Sequence, residues 1–594
     1  MPVAVLIALL FPTGCRKAEP LAASQKAAEL DRRIDWRPAR MIVVQDGMTG
    51  FYKTLDSFAR DSFSAMTRQE HLPGLSPLGS LFEWMFNSQA YLDAPLIKVR
   101  EAGLRARLTE HLPREDRDRI MRDGRFSPRE LADPAVERVL ARLESERLAR
   151  RAAGKLRTAQ AFADRLDELL TIVPHPGTDK VAAWYAPQQM VGSLTDEQLA
   201  VLQIERASLP EEIRFPVPDV SPEQAWAITR TWSNLRGAWL RGDAEQVQTQ
   251  LDELAAYLPT MAPPGAYRSP RQLQAEVQYY RFGKFTWGWL LYFTGFVFSI
   301  WALVTRWRSA WGITLAITVA AFACHAFGVG LRWYVLGRIP LANMFEAVIG
   351  ATALAVGVTL VLELIHRTRF FLTGANFAGF LALVLGDSVV FGREPILPGS
   401  ELTRMMGILD HLQLRIHTVM ITFSYALIFI AAVIAVIYLI GSYRAALGGA
   451  LGSGGGLGVG AVGGSAFVSG GQRPLLAGGL PGDEQRRGAL PQWLNNLDWC
   501  HLIILNIVFV MLFVGGVVMG AIWADESWGR PWGWDPKEVF ALNTWIVYAI
   551  LIHVRFIVQN RGLWTAWLSV LGCAVMAFNW YYVNFFISSI HSYA

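Results

Sequence analysis

The sequence predicts an all-α polytopic membrane protein, with about eight transmembrane helices preceded by a mostly helical extracytoplasmic domain. Three observations predict it. Residues 286–594 consist mostly of apolar runs about twenty residues long, the length that crosses a bilayer as a helix. Residues 30–280 are instead charged and rich in Arg and Glu, with apolar residues at three- and four-residue intervals. Lys and Arg favour alternate loops between the apolar runs, the bias expected where successive helices cross a membrane.

Taken in order, residues 1–14 hold an apolar stretch too short to span a bilayer comfortably, with no basic residue before it. It reads as a signal-like segment or as the end of a truncated membrane segment. "FPTGC" loosely resembles a lipoprotein cleavage site at Cys15. Residues 15–285 read as an extracytoplasmic helical domain. "SPEQ" at 221–224 and "DAEQ" at 243–246 place Gln three residues after a Ser or Asp, the pattern of a capping box. Prolines near 174, at 210–222 and at 259–270 mark breaks between helices. No catalytic constellation stands out here, and His71, His111 and His175 are isolated.

The apolar spans fall near 286–305, 311–331, 346–365, 370–390, 417–440, 502–522, 540–558 and 563–587. Basic residues at 305–310, 366–371, 441–498 and 559–562 put those loops on one side, which the positive-inside rule makes cytoplasmic. The helical domain, the 391–416 loop, the 523–539 loop and the C-terminal tail then lie outside. A reporter fused after Gly460 should be active only in the cytoplasm, and one fused after Ala594 only outside. Both reading the same side would mean that the span count is wrong by one. Residues 441–498 read as a flexible, Gly-rich cytoplasmic insertion, because 447–482 cannot bury enough side-chain surface to offset backbone ordering. Its G-x-G-x-x-G-like matches lack a strand-turn-helix context and signal no nucleotide site.

Composition narrows the function. The net charge of +5 belongs largely to loops beside membrane spans, so no nucleic-acid partner is implied. Cys15, Cys324, Cys500 and Cys573 are scattered without a C-x-x-C, which excludes both a thioredoxin-like pair and a haem-attachment site of the chain's own.

Seven of the ten histidines lie in the membrane half. An ionisable group within a span is expensive and marks a functional site by default. His325 sits inside the second span and His553 inside the seventh, whereas His417 opens the fifth and His591 follows the eighth. The last two are level with "WADESWGRPWGWDPKE", residues 523–538, which gathers Trp523, Trp528, Trp532 and Trp534 before Asp535, Lys537 and Glu538. An interfacial aromatic belt is one reading of that stretch, and a platform for a large planar ligand is the other. Facing imidazoles bind a metal or the iron of a haem. Zinc fits less well, since no thiolate or H-E-x-x-H spacing accompanies them. Haem accounts for more: indoles stack on the porphyrin, Gly529 and Gly533 admit close backbone approach, and Arg530 or Lys537 meets a propionate. His366, His411 and His501 lie in or beside loops and are set aside, although His411 is close to His417.

"GAIWADESWGRPWGWDPKEVFALNTWIVYAILIHVR" resembles the tryptophan-rich WWD signature of haem-handling proteins, most closely the CcsA/ResC type of system II cytochrome c synthase. "HAFGVGLRWYVLGRIPLANMFEA", "IHTVMITFSYA" and "NFFISSIHSYA" match that family's pattern in its order. The resemblance covers roughly 286–594; Pro531 and the Gly-rich insertion depart from it. It implies a cytochrome c biogenesis protein of the cytoplasmic (inner) membrane that binds haem b and delivers it to the CxxCH of apocytochrome c, where thioether bonds form. Residue by residue it implies an inner haem site at His325 and His553, and an outer one at His417 and His591. Trp523, Trp528, Trp532, Trp534 and Asp535 complete the outer site. The resemblance also implies a CcsB/ResB-like partner, of which residues 15–285 hold at most a fragment, and thiol-reducing proteins acting indirectly on the apocytochrome. Whether attachment proceeds alone or with that partner stays open. The alternatives are a haem exporter or chaperone without attachment activity, and an assembly subunit whose tryptophans form only an interface belt.

Overall fold

The computed structural model describes residues 22–594 except 147–148, 178–181, 265–266, 283–284, 306–307, 388–396, 398, 405–410, 453–490, 584–586 and 588–594. Two units result, one mainly of residues up to Arg281 and the other mainly of residues from Phe282 onward.

Local sequence sets the helices of the first unit. Ser221 accepts from the Gln224 amide while the Gln224 side chain returns to the Ser221 amide, so the helix Pro222–Arg241 starts with a closed capping box. It stops at Gly242, whose φ of 80° suits glycine. Asp243 caps Ala244–Met261 through the Gln246 amide alone, and Pro259, expected as a break, lies inside that helix. Trp36, Phe82 and Trp239 centre the core, with Trp36 and Phe82 stacked at 5.8 Å. Two small antiparallel ribbons interrupt the helical expectation: β1 Val43–Asp46 with β2 Phe51–Thr54, and β3 Ile97–Lys98 with β4 Arg125–Phe126.

β2 carries Lys53, fully buried, with its ammonium 2.7 Å from both Asp46 and Asp61. Burial alone would lower the Lys53 pKa, but the charges of Asp61 and Asp46 carry it above the ordinary lysine value. Burial likewise works against the Asp46 carboxylate, and Lys53 more than offsets it, leaving Asp46 below the usual range. The two signs bracket a window. The Asp46 contribution is present above about pH 4 and lost as pH falls through its depressed value. That of Lys53 is present below about pH 10.5 and lost as pH rises through its raised value. Lys53→Met strands two buried carboxylates and should cost about 3–5 kcal/mol at neutral pH. Scanning calorimetry of the detergent-solubilised chain checks this, and an unchanged unfolding midpoint would refute it.

The second unit is a bundle: α1 Thr286–Thr305, α2 Arg308–Leu336, α3 Met344–His366, α4 Phe370–Gly386, α5 Leu412–Gly452, α6 Gln492–Met511, α7 Met519–Trp528, α8 Pro536–Ile557 and α9 Arg561–Ala577. A π-helical turn, Leu512–Val518, joins α6 and α7 into one continuous helix, and another, Phe578–Val583, extends α9. Seven of the resulting helices are long and apolar enough to cross a membrane. They occupy the places of seven of the eight spans read from the sequence. The eighth, α4, has 17 residues, so it reaches about 25 Å against a hydrocarbon core of roughly 30 Å. It is buried along most of its length and packs on α1, α3 and α5, so its neighbours replace lipid around it. Asn376 at its middle donates to Thr318 Oγ1 of α2 and to the Leu372 carbonyl, both at 2.8 Å, the polar bonding that holds membrane helices together.

Outward faces of the bundle expose Val361, Ile365, Ile550, Trp564 and Trp567, a surface suited to lipid. The chain is a multi-pass, all-α membrane protein. Helix continues to Gly452 and resumes at Gln492, so the insertion expected to be flexible over 441–498 is helical at both ends. Its middle, 453–490, and the segment 1–14 lie outside the described residues.

Candidate functional site

The Trp-rich stretch is mostly helix ends rather than one long loop. Trp523 and Trp528, expected within a loop over 523–539, belong to α7. Gly529, at φ 68°, terminates that helix. Asp535 starts α8: its carboxylate accepts from the Lys537 amide at 3.2 Å, and Glu538 returns to the Asp535 amide at 3.2 Å. The carboxylate expected beside a cofactor is therefore placed as a helix N-cap. Glu538 Oε2 also accepts from the Gly533 amide at 2.8 Å, which pins the intervening turn. Within it Trp534 adopts φ 56° and is 74% exposed, its indole edge-on to Trp532 at 6.0 Å. The Arg530 guanidinium lies over Gly533, where a Cβ would sit 2.9 Å from it.

Beneath this turn α5 packs on α7 and on the π-turn. His417 of α5 bonds through Nδ1 to the Gly515 carbonyl at 2.6 Å, and its ring lies against Gly520, one helical turn before Trp523. A carbonyl only accepts, so Nδ1 carries the hydrogen and the neutral ring's lone pair is on Nε2. His411, set aside on sequence grounds, joins the same region. Its Nε2 is 3.1 Å from Glu526 of α7 and its ring is 5.5 Å from the buried Trp523. His591 lies outside the described residues.

The two histidines read as an inner pair sit in different surroundings. His325 is fully buried in α2; its Nε2 donates to the Ile349 carbonyl of α3 at 3.0 Å and its Nδ1 faces the Tyr292 hydroxyl of α1 at 3.3 Å. Phe285 and Tyr292 present their edges to the ring. In this arrangement neither nitrogen is directed to a ligand. His553 is exposed on α8, with Nδ1 donating to the Ala549 carbonyl at 2.7 Å, which leaves the lone pair on Nε2. No hydrogen bond or ring contact joins His325 to His553 among the described residues.

A second polar centre lies between α2 and α3, in the segment "RWYVLGRIPLANMFE". Arg332 and Glu346 are almost completely buried, and Arg332 Nη2 lies 2.9 Å from Glu346 Oε1. Arg338 Nη1 and the Ala342 amide both reach Glu346 Oε2 at 2.8 Å. Arg332 also donates to the Ser400 carbonyl at 2.8 Å and to that of Gly399 at 3.3 Å. Glu346 and Arg332 together thus tie the ends of two helices to the 338–342 and 399–400 segments. Sequence reading passed over this centre, and its signal is a Glu and two Arg within fifteen residues bordering apolar runs. Gly515 and Gly520 were passed over as well; three glycines in "GGVVMG", inside a span facing a histidine-bearing one, are the trace they leave.

The donor set tests whether haem fits. At the outer position an imidazole with its lone pair on Nε2 lies against α7, the helix that leads into the pinned aromatic turn, a donor of the kind an axial ligand needs. At the inner position only His553 has that form in this conformation.

The cytochrome C assembly protein family matches residues 284–591, just over half of the chain. Cytochrome c biogenesis protein CcsA of Parasynechococcus marenigrum is 28% identical over 320 residues, 52% of this chain and 94% of the relative. CcsA of Crocosphaera subtropica is 28% identical over 338 residues, 51% of this chain and 94% of the relative. Protein NrfI of Wolinella succinogenes is 24% identical over 274 residues, 46% of this chain and 25% of NrfI.

Proposed function

The chain belongs to the cytochrome c assembly protein family, and from that premise we propose that it brings haem b to the Trp-rich turn and promotes its attachment to apocytochrome c. A role in cytochrome c biogenesis implies apocytochrome c as the substrate. The proposal is that haem is held by His417, with His591 as the second axial ligand, and that Trp532 and Trp534 stack against it while Arg530 meets a propionate. The observation that carries this reading is the His417 imidazole, fixed by the Gly515 carbonyl and lying against Gly520, one turn before Trp523.

Haem itself supplies the vinyl groups that accept the CxxCH thiols. The chain's residues bind and orient. Glu538 holds the turn at Gly533 and Asp535, so the indoles are presented without a further ordering cost. On the inner side, His553 offers Nε2 from an exposed helix face, and His325 joins it only after releasing Tyr292 and Ile349. In this reading the membrane is the cytoplasmic one, with the turn and the first unit outside. A CcsB/ResB-like protein is the proposed partner, and thiol-reducing proteins keep the CxxCH available.

Expression with an apocytochrome in a host lacking its own maturation pathway tests the reading. Covalent cytochrome together with haem in the purified chain is the expected result. Haem without covalent product would favour an exporter or chaperone, and the absence of haem would restore the interface belt.

A further inference from the structure

In an α-helix the amide of Met519 would bond the carbonyl of Gly515. Here it bonds the carbonyl of Val514, five residues back, because Leu512–Val518 forms a π-helical turn. The Gly515 carbonyl is thereby turned to the neighbouring helix, where it accepts from His417 Nδ1 at 2.6 Å. Three glycines make the approach possible. A Cβ at Gly515 would lie 2.3 Å from Met420 Cβ, one at Gly516 would lie 3.2 Å from Ile421 Cδ1, and one at Gly520 would lie 3.0 Å from His417 Cε1. His417, Met420 and Ile421 form one face of α5, since residues three and four apart share a side. The π-turn and its glycines are complementary to that face.

We propose that the π-turn Leu512–Val518 is a positioning device for His417, its Gly515 carbonyl orienting the imidazole and strengthening Nε2 as a donor to haem iron. The proposal rests on the haem reading of His417 given above. Its physical basis is general. A ligating histidine donates its other N–H to an outer partner, which fixes ring and tautomer and raises basicity. In a regular α-helix the i+4 amide already takes one lone pair of a mid-span carbonyl, so a histidine there shares its acceptor, as His325 does at Ile349. One additional residue in the turn changes that sharing. Gly515 thus acts through His417 and is a positioning residue.

The test uses the purified full-length chain and reads the haem absorption and resonance Raman spectra. His417→Gly removes the imidazole, and free imidazole or 1-methylimidazole is titrated into the space. Both ligate iron, but only imidazole has a second N–H for the Gly515 carbonyl. Imidazole is expected to restore the low-spin spectrum at a concentration at least about tenfold lower. Equal restoration by the two would overturn the proposal. Deleting Gly516, which returns the turn to α-helical register, should shift the spectrum toward that of His417→Gly while haem is still bound, with the unfolding midpoint as the fold control. A wild-type spectrum in that deletion would overturn the proposal while leaving the functional reading intact. A wild-type chain that binds no haem would overturn both.

Discussion

Replacing His417 with alanine is expected to lower covalent cytochrome c about a hundredfold or more while the purified chain still carries haem. The magnitude follows from ligand loss, given that even an outer-shell partner of a ligating histidine is worth roughly 10–100-fold. Supply from the inner side remains, so haem arrives but with altered ligation and greater ease of oxidation. His591→Ala should behave in the same way. His553→Ala should instead reduce the haem that is carried, with little effect on folding, because the side chain is exposed and bonds only its own helix. His325→Ala needs a fold control, because it empties a buried position and removes the partner of the Tyr292 hydroxyl. Oxidised and reduced spectra of each variant, beside a count of covalent cytochrome, separate these cases. Equal haem loss in all four variants would refute the two-site relay, and wild-type spectra and activity in all four would refute haem binding.

Glu346→Gln should destabilise the bundle by about 3–5 kcal/mol, the cost of leaving a buried charge without its partner. Two guanidinium groups depend on that carboxylate, Arg332 and Arg338, and Arg332 is only 2% exposed. The expected result is a lower yield of folded protein and a lower unfolding midpoint in detergent. Arg332→Met combined with Glu346→Leu should recover part of the loss, because removing both members of a buried pair by apolar groups costs far less than removing one. A Glu346→Gln chain as stable as wild type would show that the network does not hold these helix ends.

Hydropathy made the bundle legible because lipid imposes one dominant requirement, an apolar helix of sufficient length. Thr286–Thr305 was placed to the residue by that rule. The same rule is silent on backbone register, so the π-turn at Leu512–Val518 left no periodic trace beyond its glycines. It also put a loop from Trp523 onward, where the structure has helix. Asp525 and Glu526 lower local hydropathy, yet the backbone stays helical until Gly529. In the first unit the Val43–Thr54 ribbon was missed although "QDGMTGF" holds a turn signal between short apolar runs. Four histidines and a tryptophan cluster named the candidate residues, and of these the described residues bring His417 against the helix that carries Trp523. Which nitrogen of each imidazole is engaged depends on neighbours far apart in the chain, such as Ile349 for His325 and Gly515 for His417.

Trp534 has a consequence for evolvability. A bulky residue at φ 56° costs about 1–2 kcal/mol relative to glycine, so random mutation at this position has a downhill route in folding free energy. Glycine there would relax the backbone and erase the most exposed indole of the turn. Libraries screened for thermal tolerance should therefore enrich replacements at 534, and libraries screened for cytochrome output should reject the same clones. A position where the two selections run in opposite directions bears the trade-off expected of a strained site retained for use rather than for stability.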